Sequence, residues 1–92
     1  MALTPRLRRQ VDRDFPSIGD EIERLLSEAE SGNQSHERVL AAIVFVARGD
    51  MERLRSAIEL SQRDWRDVLV AGGLANGDWP EVLDERLGAT HT

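Results

Sequence analysis

"VLAAIVFVA", running from Val39 to Ala47, carries no polar side chain on any side. The spacing of apolar residues through the chain is helical, with no strand-like alternation, so this stretch is predicted as a helix near 36–48 that starts after Ser35. A helix that is apolar all round is normally one that its neighbours surround. In a chain of 92 residues few helices are available to do so. The expectation is a single all-α domain, 1–92: a compact orthogonal bundle of five or six short helices packed around this central one. Part of the central helix is expected to face another subunit.

Working outward, the chain is punctuated by Gly19-Asp20, Gly49-Asp50 and Gly77-Asp78. Glycine ends a helix because it accepts a left-handed backbone, and aspartate starts one because its carboxylate takes the orphan N–H groups of the first turn. Each pair therefore reads as a stop followed by a start. A first helix is predicted near 5–14, capped by Thr4 with Pro5 at its first position, lined by Leu7 and Val11 and ended by Phe15-Pro16. A second, near 18–30, has Ser17 and Asp20 as its capping signal and a stripe of Ile18, Ile22, Leu25, Leu26 and Ala29. A fourth, near 51–62, is capped by Asp50, with Met51, Leu54, Ile58 and Leu60 as its inner face and Ala57 allowing close approach.

The C-terminal part says one thing twice. Asp64-Trp65-Arg66-Asp67-Val68-Leu69 returns fourteen positions later as Asp78-Trp79-Pro80-Glu81-Val82-Leu83. The reading is a helix-start module: the aspartate caps, the acid three residues on completes the cap, the tryptophan covers the first turn, and Val-Leu enters the core. Gly72-Gly73 stops the fifth helix, Leu74 to Gly77 form a turn, and Gly88 ends the sixth. Residues 89–92 are expected to fray.

Composition narrows the function classes. There is no cysteine, which excludes disulfides, thiolate metal sites and cysteine nucleophiles. No apolar stretch is long enough for a membrane span, and the arginines of the N-terminus are followed by no apolar run of a signal peptide. A cytoplasmic protein is expected. Charge is uneven, net +3 over 1–13 and −8 over 14–92. An acidic body repels phosphate backbones, so nucleic acid is an unlikely partner unless it uses the basic segment 1–16, which the sequence leaves free to be mobile. Arg6, Arg8, Arg9 and Arg13 are the anion-binding candidates there.

Other motifs are weaker. The acid pairs Asp64/Asp67 and Asp78/Glu81 have the types needed for acid–base chemistry or a hard cation, but capping explains their positions, so no catalytic residue, metal or cofactor is assigned. His36 and His91 have no nucleophile beside them in sequence. Arg48-Gly49-Asp50 spells an adhesion tripeptide, yet a helix end and a helix start explain it. Trp65 and Trp79 are read as core or core edge, with Trp79 the better contact candidate because it follows a glycine-rich turn. Together Trp65, Arg66, Asn76 and Trp79 are the binding candidates, since tryptophan and arginine are frequent interface anchors.

The stretch from Arg48 to Gly88, with its G-D-x-x-x-L, D-W-R-D-V-L-V-A-x-G-L-A and D-W-P-x-V-L, resembles the C-terminal half of small uncharacterised bacterial α-helical proteins. The resemblance covers about half the chain. It implies a bacterial, cytoplasmic, all-helical protein and carries over no activity, cofactor or partner residue. The functional expectation is a non-catalytic protein–protein interaction module, a homodimer or a small regulatory adaptor. The alternatives are nucleic-acid or anionic-surface binding through the N-terminal arginines, and a divalent-metal or hydrolytic site at the paired acids.

Overall fold

The computed structural model describes residues 3–28 and 36–88. It is an all-α bundle: α1 (Pro5–Asp14), α2 (Gly19–Glu28), α3 (His36–Ala47), α4 (Met51–Arg63), α5 (Trp65–Gly72) and α6 (Trp79–Leu87). Among the described residues there is no strand. Ala29, His91 and the tail at 89–92 lie outside them.

The centre is α3. Val39 to Val44, Phe45 and Ala47 are all buried, and only Val46 in that run is half-buried. α1, α4, α5 and α6 all pack on it and leave Val46 half-buried beside α4. The basic N-terminal segment contributes to that cover, because Leu3, Leu7, Val11 and Phe15 all enter the core.

Local chemistry explains the helix ends. The Thr4 side chain accepts the Leu7 N–H at 3.4 Å, and Pro5 occupies the first turn of α1. Phe15 closes α1 by donating its N–H to the Val11 carbonyl. Arg48 and Gly49 turn left-handed after α3 (φ 50° and 77°), and Asp50 then accepts from the N–H groups of Glu52 and Arg53.

Gly19-Asp20 does not act as a stop and start. Gly19 is the first residue of α2 and is buried, with the ends of the Arg8 and Asp12 side chains of α1 lying over it. Nor do Ser17 and Asp20 form a capping box. Ser17 is left-handed at φ 76°, one residue too early, and the Asp20 carboxylate accepts from Arg8 Nη2 at 2.8 Å.

α3 and α5 approach each other closely at Gly72. A Cβ on Gly72 would lie 2.8 Å from both the Cα and the Cβ of Ala42, so only glycine lets the two backbones sit this near. Gly73 follows at φ 78° and gives its N–H to the Leu69 and Val70 carbonyls. The chain then drops Leu74 into the core, although its sequence position reads as a turn.

α4 differs from its expected pattern. Leu54, Ala57 and Ser61 form its buried stripe, whereas Met51, Ile58 and Leu60 are only half-buried. The Ser61 hydroxyl is satisfied by donating to the Ile58 carbonyl at 2.6 Å. The 3.6-residue period puts Leu60 on the opposite flank from Met51 and Ile58. No single inner face can hold all three.

Candidate functional site

The two copies of the doubled motif are built differently. Asp64 caps α5 through its carboxylate, which accepts the Arg66 N–H at 3.1 Å. Asp78 holds the same place before α6 but makes no side-chain cap hydrogen bond, so its expected capping role is corrected. Its backbone sits at φ −86°, ψ 13°, away from the extended geometry of Thr4, Asp50 and Asp64, and its carbonyl takes the N–H groups of Glu81 and Val82 instead.

Both tryptophans are half-buried against the core edge. The Arg66 guanidinium lies 5.4 Å from the centre of the Trp65 ring. Arg38, reaching from α3, lies 4.9 Å from that of Trp79 and also donates from Nε to the Leu74 carbonyl at 2.9 Å. Asn76 is exposed, with its carbonyl accepting the Trp79 N–H. Each ring is therefore covered on one side by core and stacked by an arginine. Val70, on the outer face of α5, is exposed, as is Ile18 just before α2.

The four N-terminal arginines divide into two kinds. Arg6 is buried at 7% exposure and joins three parts of the chain. Its Nε and Nη2 donate to Glu37 at 2.9 and 2.7 Å, and its Nη1 donates to Asp84 at 2.5 Å and to the Gly88 carbonyl at 2.7 Å. The Thr4 hydroxyl donates to the same Glu37 carboxylate. Hydrogen bonds from Arg6 hold the Glu37 carboxyl below the ordinary carboxylate range; burial opposes them and the Thr4 hydroxyl helps. Arg8 is held by Asp12, Asp20 and Glu23 at 3.0, 2.8 and 2.5 Å. Arg9 and Arg13 are exposed. Two of the four anion-binding candidates thus already hold carboxylates of the chain itself.

Among the described residues, no three or more His, Asp or Glu side chains gather as a metal ion would need. The adhesion tripeptide is exposed, but its Asp50 carboxylate is engaged in capping α4.

The opening that the sequence reading missed lies along α4. A groove of about 300 Å³ between the end of α3 and α4 has Val46, Ala57 and Leu60 as its apolar floor, with Asp50, Glu52, Arg53 and Ser56 at its rim. A second of about 280 Å³ runs along the other flank, lined by Leu25 and Ile58 with Glu28, Arg55, Glu59 and Gln62. The available signal was the width of the apolar pattern on α4, too broad for one helix to bury. No helix among the described residues is long and apolar enough to cross a membrane. No protein-family model, curated protein or solved structure matches this chain.

Proposed function

We propose that the protein is a non-catalytic protein–protein interaction module of the bacterial cytoplasm, a small regulatory or adaptor protein that binds through the flank of α4. The observation that supports it is the groove floored by Val46, Ala57 and Leu60, where the apolar run of α3 reaches the surface. Mostly apolar concave surface with a few charges at its rim is what a partner side chain or helix face fills. The tryptophan end supports a contact less well, because both rings already have partners on the chain.

The test is native mass spectrometry of the protein isolated gently from its own cells, beside the variant Leu60→Gln. A second copy or a different chain retained by the wild type and lost by the variant supports the reading. A bare monomer, or retention that Leu60→Gln leaves unchanged, overturns it.

A further inference from the structure

Resting on that reading, we infer that the occupant of the α4 flank is a second copy of this chain, with the two α4 helices packed antiparallel across a two-fold axis. A two-fold contact must be self-complementary, since each residue meets the partner of its own partner. The outward ridge of α4 meets that condition. Glu52, Ser56, Glu59 and Arg63 share one face at helical spacing, and all four are exposed. An acid stands near the N-terminal end of the ridge and an arginine at its C-terminal end.

Set antiparallel, Glu52 of one copy lies opposite Arg63 of the second, and the reverse pair forms by symmetry. Ser56 then faces Glu59 of the second copy. A parallel pair would put Glu52 on Glu52 and Arg63 on Arg63. The charges therefore choose the antiparallel arrangement.

Packing agrees with the charges. Ser56, small and exposed at the middle of the ridge, lets two helices come close. In the antiparallel register each half-buried Leu60 lies beside Ser56 of the other copy, over the groove that Val46 and Ala57 line. Among the described residues Arg63 pairs with Glu59 at 3.7 Å, and both are widely exposed, so this weak pair can yield to Glu52 of the second copy. A helix of 13 residues is roughly 20 Å long, which puts the contact at the small end of specific interfaces. The dimer is therefore concentration-dependent.

The experiment is sedimentation equilibrium over a wide concentration series. The wild type should show a reversible monomer–dimer equilibrium. Glu52→Arg alone and Arg63→Glu alone should each weaken it by roughly tenfold, because each brings like charges together. An equimolar mixture of the two variants should regain wild-type association. In the mixed dimer one copy carries arginine at both ends of the ridge and the other carries glutamate at both, so each facing pair is again opposite in charge. Both positions are exposed, and unchanged thermal melting confirms that the variants fold. Glu52→Gln and Arg63→Gln serve as milder substitutes if either fails that check.

A wild type that stays monomeric overturns the inference, as does a mixture no tighter than either variant alone. If it fails this way while a different chain is still retained through Leu60, the interaction reading survives without the dimer. If no chain is retained either, both are overturned.

Discussion

The α5–α6 end and the flank of α4 have similar ingredients and opposite fates. Both combine apolar side chains with arginines and acids. At the α5–α6 end the aromatic rings and arginines are engaged within the chain: Arg66 on Trp65, Arg38 on Trp79, Arg86 4.0 Å from the centre of the Phe45 ring, and Arg6 on Asp84. Along the flanks of α4, Met51, Ile58 and Leu60 stay half-buried and the charges stand exposed. The difference separates what the sequence uses to fold from what it leaves over. A substitution at the first region should act on stability, and one at the second should act on association.

The largest effect is expected at Arg6. Arg6→Met should cost about 3 kcal/mol, because Glu37 keeps its charge at a partly buried place without its main partner. Hydrogen exchange should rise most in α6, which loses its ties through Asp84 and Gly88. The same site sets an acid limit. The Glu37 carboxyl is held below its unfolded value of about 4.3, so its contribution is present above that pH and is lost as pH falls through the folded value. Glu37→Gln should lower stability at pH 7 and flatten the loss of stability below about pH 4, as read by thermal melting against pH.

Next comes Gly72. Gly72→Ala should cost about 1–3 kcal/mol by forcing α5 away from Ala42. Its counterpart fourteen residues on is Arg86, an exposed position, where Arg86→Ala should cost much less.

A smaller effect sharpens the comparison inside the doubled motif. Asp64→Ala should lower stability by about 1 kcal/mol, since it removes a cap hydrogen bond. Asp78→Ala should cost at most a few tenths of a kcal/mol, the helix-dipole part alone. Equal losses from the two would break the distinction between the copies.

The smallest effect on folding belongs to α4. Leu60→Gln should change stability by less than about 1 kcal/mol, as expected of a half-exposed site. The same variant should abolish association. A large drop in melting temperature would make Leu60 a core residue and remove the contrast.

How far the sequence carried can be judged from particular residues. The helices of the bundle were legible because Thr4, Asp50 and Asp64 act locally, within three residues of the N–H groups they receive. Of the three Gly-Asp pairs, Gly49-Asp50 behaves fully as read. Gly19 instead lies inside α2, packed beside the Arg8 and Asp12 side chains, a tertiary placement that no local pattern reveals.

Arg6 shows the same limit more sharply. It reads as one of four basic residues in a charged segment, yet its partners are 31 and 78 positions away. The α4 flank was missed because Met51, Leu54, Ile58 and Leu60 were read as one inner face, and how much of so wide a pattern is buried depends on the neighbours that arrive. The run from Val39 to Ala47 was correctly read as central; this chain buries all of it except Val46, which stays half-buried.

The central claim is that contact is made by α4 and not by the tryptophan end. It is tested most directly by ¹H–¹⁵N spectra of the wild type over a dilution series. The account predicts concentration-dependent shifts at the amides of Val46, Ser56, Ala57 and Leu60, with the indole signals of Trp65 and Trp79 unmoved. Shifts at the indoles with α4 silent, or no shifts at any concentration, would contradict it.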